Sequence, residues 1–171
     1  MPLVSVIMPC RNAAPWLDHS IRSVRAQDFQ DWEMLVADDA STDNSAQLIG
    51  QHARDDARIQ LLRLSQRVGS AGARNHALQQ ARGRFMAFLD ADDWWCEKKL
   101  SSQLTFIQRA GAPLSYTAYE KANAEGQLEG RVFYPPPAID YAAHLLDRLL
   151  NRYARPGKTG AAANAGYSTG T

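Results

Sequence analysis

Residues 85–93 read FMAFLDADD, an apolar run that passes directly into three aspartates within four positions. Short apolar runs that end at polar residues are typical of buried strands. The pattern recurs at residues 32–39 (WEMLVADD), and residues 3–8 form another such run, which Pro9 closes. Residues 59–64 (IQLLRL) are mostly apolar but lack the acidic ending. These four segments are the predicted strands.

A segment of helical periodicity separates each predicted strand from the next and also follows the last. The apolar stripes are formed by Leu17, Ile21 and Val24 after Pro15, by Ala46, Ile49 and Ala53 after the capping residues Ser41, Thr42 and Asp43, by Ala73, Ala77, Leu78 and Ala81, and by Leu100, Leu104 and Ile107. Continuous apolar strands that alternate with single helices predict an α/β fold, in which a mostly parallel sheet is covered by helices on both faces.

The C-terminal part of the chain changes character twice. Residues 114–119 and 131–134 are predicted strands around a polar loop with Gly126, and residues 135–137 (PPP) are a stiff link to a helix that ends near Leu150. Residues 151–171 contain no Leu, Ile, Val, Phe, Met or Trp. Such a segment buries too little apolar area to order itself, so the prediction is one domain over residues 1–150 and a disordered tail.

Composition excludes several classes of protein. The 171 residues are 45% hydrophobic and 22% charged, with a formal net charge of +1, which gives no indication of nucleic-acid binding. There is no signal-peptide pattern and no apolar run of about 18 residues that would span a membrane, so the predicted location is the cytoplasm. Cys10 and Cys96 are not spaced as zinc ligands and are interpreted as idle thiols.

The acidic residues fall where ligands bind in parallel sheets, beyond the carboxyl ends of the strands. Asp90 and Asp92 flank the small residue Ala91. They supply hard oxygen ligands that suit Mg²⁺ or Mn²⁺, with phosphates and water completing the shell. The alternative is a solvated acidic turn in which Asp93 caps the next helix. The apolar strand before the turn favours the metal and a diphosphate.

Two further residues are candidates for nucleotide contacts. A carboxylate at Asp39 could accept a hydrogen bond from the ring N–H of uracil; the alternative is helix capping together with residues 41–43. Arg74, near the small residues Gly69 and Gly72, could offer a planar fork to a phosphate, but an arginine on a solvated helix face fits the spacing equally well. The spacing matches neither GxGxxG nor a P-loop.

Four motifs in this order resemble the family-2 inverting glycosyltransferases, which have the GT-A fold, a Rossmann-like three-layer α/β/α sandwich. The resemblance covers roughly residues 2–151. It is carried by VSVIMP (4–9) with Asn12, by VADDASTDN (36–44), by GARN (72–75), and by FLDADD (88–93) with Trp95, Lys99 and Leu100.

The resemblance assigns roles by position. It implies a nucleotide pocket lined by residues 9–12, which include Pro9, Arg11 and Asn12, a base contact at Asp39, the third-motif arginine at Arg74, and a donor and metal site at Asp90, Ala91 and Asp92, in which Asp92 binds the cation and Asp90 lies near it and the ribose. Two positions depart from the pattern: Cys10-Arg11 replaces a small hydroxyl residue and an aromatic one, and Ala40 replaces a glycine.

The activity implied is metal-assisted transfer of a sugar from a nucleotide-diphosphate donor, with a UDP-sugar expected, to a saccharide or lipid-linked acceptor in cell-envelope polysaccharide biosynthesis. The resemblance implies Mg²⁺ or Mn²⁺, no nucleic acid and no membrane span. Attachment to the inner face of the membrane and oligomerisation are left open. The family's general base is an acidic residue beyond the matching region, so this chain is expected to be truncated before its acceptor-binding half, binding donor with little or no transfer.

Two other functions are compatible with parts of this pattern. A non-catalytic nucleotide-sugar-binding module would carry the same residues and would differ only in turnover. A signalling receiver domain would need an acceptor aspartate after the third strand, where the sequence instead runs from Leu64 into Ser65 and Gln66. The sequence therefore argues against a receiver domain.

Overall fold

Four parallel strands form the central sheet of the computed structural model, which describes residues 1–123, 126–134 and 161–163. The strands are β1 (Val4–Cys10), β2 (Trp32–Asp38), β3 (Ile59–Arg63) and β4 (Phe85–Phe88), in the spatial order β3-β2-β1-β4. Every residue of β1 and β2 is buried, as continuous apolar runs predict. Pro9 lies inside β1 instead of closing it, because β4 pairs with β1 only as far as Ile7 and needs no N–H from Pro9.

Four helices complete a three-layer α/β/α sandwich. They are α1 (Ala14–Arg25), α2 (Ser45–Asp55), α3 (Gly69–Leu78) and α4 (Lys99–Ala110). Helices α1, α2 and α4 bury Leu17, Ile49 and Leu100 in one hydrophobic cluster with the sheet. Helix α3 buries Ala73 and Ala77 against the opposite face. The predicted fold class is confirmed.

Strand β4 departs from the prediction that both faces of the sheet are covered. Its burial alternates, and Met86 and Phe88 are 40% and 51% exposed. Helix α3 packs on β1 and β2, so among the described residues no helix covers this face of β4. The apolar composition of β4 predicted a strand correctly but predicted its burial wrongly.

A second sheet contains β5 (Trp94–Trp95), β6 (Tyr119–Ala122), β7 (Leu128–Phe133) and β8 (Ala161–Ala163), in the order β5-β8-β6-β7. Strands β6 and β7 form an antiparallel hairpin whose loop has Gly126 at φ 80°. The predicted strand over residues 114–119 is wrong, because the pairing begins only at Tyr119. The inward positions of β6 are Glu120 and Ala122, which no apolar pattern would identify.

Several predictions fall outside the described residues. They are the link at residues 135–137, the helix that ends near Leu150, and most of the tail, of which only β8 is described. The boundary at residue 150 stays a prediction. Among the helices that the structure describes, none combines the length and apolar composition that a bilayer crossing requires.

Candidate functional site

The predicted site residues meet at one edge of the sheet. Strands β1, β2 and β4 are parallel, so their carboxyl ends lie on the same side, with β1 between the other two. Residues 11–12 and 90–93 follow the ends of β1 and β4, and Asp38 and Asp39 lie at the end of β2 and directly after it. The structure therefore brings together the polar segments that the sequence places far apart.

The β1–α1 loop and the β2–α2 loop are hydrogen-bonded to each other. The Asn12 backbone N–H donates to Ser41 Oγ (3.0 Å), and Asn12 Oδ1 accepts from the Thr42 N–H (2.8 Å). Asn12 and Ala40 both adopt the left-handed conformation, at φ 47° and 52°. The glycine that the family pattern places at position 40 therefore has a conformational reason, because an L-residue is strained there.

The start of α1 is also hydrogen-bonded to the β2–α2 loop and to the first residue of α2. The Ala13 N–H donates to Ser45 Oγ (2.9 Å), and the Ala14 N–H donates to Asp43 Oδ2 (3.2 Å). Asp43 Oδ1 also accepts from the Ser45 N–H (2.9 Å). Of the predicted capping residues of α2, Asp43 is the one whose side chain meets the start of that helix, whereas the other two bind the β1–α1 loop.

Arg11 is held against the loop after β2. Its Nη1 donates to the carbonyl oxygens of Asp39 (2.5 Å) and Ala40 (2.8 Å). The guanidinium therefore has a defined place at the sheet edge, although this position departs from the family pattern. A planar cation fixed in this way presents a face that can stack on a base.

Asp39 is buried and connects β2 to α3. Its Oδ1 accepts from the Val68 N–H (2.6 Å), and its Oδ2 accepts from the Gly69 N–H (2.9 Å). The carboxylate thus caps the start of α3, not of α2 as the capping alternative supposed. Each carboxylate oxygen has a second lone pair, so a base N–H can still be accepted.

Asp38 differs sharply from its neighbour. It is fully buried, and within the described part of the chain neither carboxylate oxygen has a hydrogen-bond partner. The nearest cation is Arg63, whose Nε lies 4.0 Å from Oδ2 and whose side chain is 69% exposed. Adjacent strand residues point to opposite faces, so the two aspartates cannot serve one ligand in the same way.

The acidic segment after β4 is reachable from solvent. Asp90 forms an ion pair with Arg74 Nη2, and the two side chains are 49% and 29% exposed. Asp92 is half-buried, and among the described residues its carboxylate has no hydrogen bond or ion pair. Helix α4 has Lys98 as its N-cap, so the alternative in which Asp93 caps that helix is wrong.

The donor set fits a divalent cation whose shell is completed by substrate. Within the described ranges, no three His, Cys, Asp or Glu side chains converge on one point. Mg²⁺ and related cations are commonly held by only one or two carboxylates together with phosphates and water. Asp90 and Asp92 supply those carboxylates, and Arg74 is the cation that Asp90 meets in this structure.

A groove of about 440 Å³ opens beside the β2–α2 loop, and its volume is typical of small-molecule sites. The lining residues are Ala40, Ser41, Arg63, Leu64 and Ser65. The groove lies at the carboxyl ends of β2 and β3. The sequence does not predict Arg63 and Ser65 as site residues, because no pattern marks them.

The comparisons with known proteins identify the class of enzyme. The family model described as "Glycosyl transferase family 2" matches residues 5–164. The chain belongs to glycosyltransferase family 2, and the enzyme class predicted from its motifs is confirmed.

One relative is the UDP-Glc:alpha-D-GlcNAc-diphosphoundecaprenol beta-1,3-glucosyltransferase WfgD of Escherichia coli. It is 42% identical over 166 residues, which cover 90% of this chain and 64% of the relative. This chain covers 59% of the length of the relative TuaG of Bacillus subtilis and 56% of the relative WfaP of Escherichia coli. The chain thus spans less than two thirds of each of these relatives.

Solved structures support the GT-A fold. The S. aureus TarS fragment 1–349 in complex with UDP-GlcNAc aligns with a TM-score of 0.60 and 29% identity, over 69% of this chain and 39% of that one. The mannosyltransferase PcManGT of Pyrobaculum calidifontis, in complex with GDP-Man and Mn²⁺, aligns with a TM-score of 0.59 and 29% identity, over 68% and 34%.

Proposed function

We propose that this chain binds a UDP-sugar at the carboxyl edge of its sheet, with a divalent cation between Asp92 and the diphosphate. The observation that carries the proposal is the meeting of two acidic segments at that edge, one beside a groove and one open to solvent. The names of two similar proteins support the choice of nucleotide. WfgD is named for UDP-Glc, and the TarS fragment was solved with UDP-GlcNAc.

Each side chain has a defined part in this proposal. Beside the groove, whose lining includes the next residue, Ala40, Asp39 accepts the uracil ring N–H, and Arg11, with Pro9 and Asn12, borders the nucleoside. Asp90 lies near the ribose and the cation. Arg74 offers its fork to a phosphate, which is the geometry that a guanidinium matches best.

Mg²⁺ or Mn²⁺, when bound, supplies Lewis acidity that stabilises the charge of the departing diphosphate. The chain's own contribution is to hold carboxylates at a fixed place and to keep the donor phosphate between them and Arg74. Preorganised groups of this kind lower the barrier because they need not reorient as charge develops. The sugar is then transferred with inversion to an acceptor hydroxyl.

We further propose that the acceptor is a lipid-linked saccharide of cell-envelope polysaccharide synthesis, because the name of WfgD specifies a diphosphoundecaprenol acceptor. The reaction would then take place at the membrane surface. No described residue is assigned as the base that deprotonates the acceptor. The 171-residue chain alone is therefore expected to bind donor with little or no transfer.

The test is isothermal titration of UDP in Mn²⁺ and in EDTA, with wild type, Asp92→Asn and the control Asp55→Asn. Asp55 ends α2 and is exposed near the amino ends of the strands. We expect Mn²⁺ to raise the affinity of wild type and of the control by at least about tenfold, and Asp92→Asn to remove most of that gain. CDP should bind more weakly, because cytosine lacks the ring N–H.

Equal affinity for UDP with and without Mn²⁺ would contradict the metal site, and equal affinity for UDP and CDP would contradict the role of Asp39. Turnover of a UDP-sugar and a lipid-linked acceptor is measured separately. Efficient transfer by the 171-residue chain would show that it contains its own base.

A further inference from the structure

The inner face of α1 and the turn after it carry polar side chains that bind the backbone of the acidic segment and of the residues that follow it. Ser20 and Ser23 lie on α1, Gln27 lies just after its end, and Ser20 and Gln27 are almost completely buried. Their partners lie between residues 91 and 100, about 70 positions later in the chain. Buried polar groups cost free energy unless they are bonded, so these contacts define how the segment lies.

Ser20 contacts the part of the segment that contains Asp92. Its Oγ lies 2.8 Å from the carbonyl oxygen of Ala91 and 2.6 Å from that of Asp93. The Ala91 carbonyl belongs to the peptide unit just before Asp92, and the Asp93 carbonyl belongs to the second peptide unit after it, so the two lie on either side of Asp92. A serine hydroxyl has one proton, so the two oxygens share it, and one side chain fixes both peptide units.

Gln27 and Ser23 secure the far end of the segment. Gln27 Nε2 donates to the Cys96 carbonyl (2.7 Å), and Gln27 Oε1 accepts from the Leu100 N–H (3.0 Å). Ser23 Oγ accepts from the Trp95 N–H (3.1 Å). These contacts lie beyond the acidic residues, so Ser20 is the member of the set that acts directly around Asp92.

We infer that Ser20 is a positioning residue for Asp92, which sets the carboxylate where it can share a cation with the donor diphosphate. The inference rests on the proposed function. Residues 90–93 follow the end of β4 and make no strand pairing there, so no sheet ladder holds the carbonyls that flank Asp92. Groups that orient metal ligands commonly change metal affinity by 10- to 100-fold when removed.

The experiment measures the ratio of UDP affinities in Mn²⁺ and in EDTA, together with the thermal unfolding midpoint, for wild type, Ser20→Ala, Ser20→Cys and Ser23→Ala. Ser23→Ala is the matched control, because it removes a half-buried, hydrogen-bonded hydroxyl from the same helix face without touching the carbonyls of residues 91 and 93. Ser20→Cys keeps a side chain of similar size with a weaker hydrogen-bond donor. It replaces Ser20→Ala as the test variant if Ser20→Ala does not fold.

We expect Ser20→Ala to reduce the Mn²⁺-dependent gain in UDP affinity about tenfold, with less than a twofold change in EDTA. Ser20→Cys should lie between it and wild type. Ser23→Ala should lower the unfolding midpoint but keep the gain. A full gain in Ser20→Ala, or an equal loss in Ser23→Ala, would overturn the inference. No gain in wild type would instead overturn the metal site of the proposed function.

Discussion

Arg74 and Asp90 form an ion pair across the candidate site, between α3 and the segment after β4. The pair joins two motifs that are separate in the sequence. It also places the positive charge of Arg74 on the carboxylate that a divalent cation would approach. In the proposed function, a bound cation and Arg74 would therefore compete for Asp90, and a donor phosphate would occupy Arg74 in place of that carboxylate.

Replacing Arg74 by alanine is expected to weaken UDP binding in Mn²⁺ about tenfold, because a charge-assisted hydrogen bond to phosphate contributes about 1.5 kcal/mol or more. Arg74→Lys should lose part of that affinity, since lysine keeps the charge without the fork. Calorimetry with UDP is the measurement. Arg84→Ala, an exposed arginine next to Phe85, is the control and should bind as wild type does. Wild-type affinity in Arg74→Ala would remove Arg74 from the site.

Glu33 is expected to make stability depend on acid pH. It is buried in β2 and accepts hydrogen bonds from Ser5 Oγ (2.7 Å) and from the Arg82 backbone N–H (2.7 Å) and Nε (2.9 Å). Burial alone would raise the pKa of Glu33, but the hydrogen bonds from Arg82 and Ser5 outweigh it and hold the pKa below its usual value.

Because the pKa is lower in the folded state, ionised Glu33 stabilises the protein above the unfolded pKa of about 4.3. That stabilisation is lost as the pH falls through the folded value. Glu33→Gln should therefore lower the free energy of unfolding by about 2 kcal/mol at pH 7, with the difference from wild type narrowing as the pH falls below about 4.3. Urea unfolding at several pH values measures it. The exposed Glu97→Gln should follow wild type, and a constant Glu33→Gln deficit down to pH 2 would refute this linkage.

Ala40→Gly is expected to stabilise the protein. Ala40 has φ 52°, which costs an L-residue about 1 kcal/mol or more. Glycine removes this strain but adds freedom to the unfolded chain, so the net gain should be about 0.5 kcal/mol. Urea unfolding provides the measurement. The comparison is Ala53→Gly, inside α2, which should lose about 1 kcal/mol. Two equal losses would mean that position 40 is not strained.

Cys10 is expected to resist alkylation in the folded protein. Burial raises the pKa of the Cys10 thiol to about 12, although Ser45 donates a hydrogen bond that partly offsets the shift. The reactive thiolate is then scarce at pH 8. Iodoacetamide should label the half-buried Cys96 at least about tenfold faster than Cys10, as followed by peptide mass spectrometry. In urea both should react alike; rapid native labelling of Cys10 would contradict this burial.

The central sheet follows from the sequence because buried strands need apolar side chains on both faces. That rule predicts β1, β2 and β3 to within two residues. It fails at Met86 and Phe88, because strand order, not composition, decides which strand lies at an edge. It also misplaces β6, where Glu120 is buried and accepts from the Gly130 N–H (2.6 Å), so a charged residue takes a core position.

The meeting of the candidate site residues also follows from the sequence, because parallel strands end at one edge of the sheet. The different environments of Asp38 and Asp39 cannot be predicted from the sequence, because both residues are aspartates at the end of a strand. Nothing in the sequence marks Ser20 either. Its role depends on how α1 lies against a segment 71 residues away, which is a property of packing alone.

The linked loops after β1 and β2 bear on the entropy of donor binding. Folding has already immobilised Arg11, Asn12 and their partners, so the nucleoside of the proposed donor would not have to order the backbone beneath it. An insertion in either loop would displace the other as well. In related sequences, the two loops should therefore keep a fixed length, and a change in one loop should be accompanied by a change in the other.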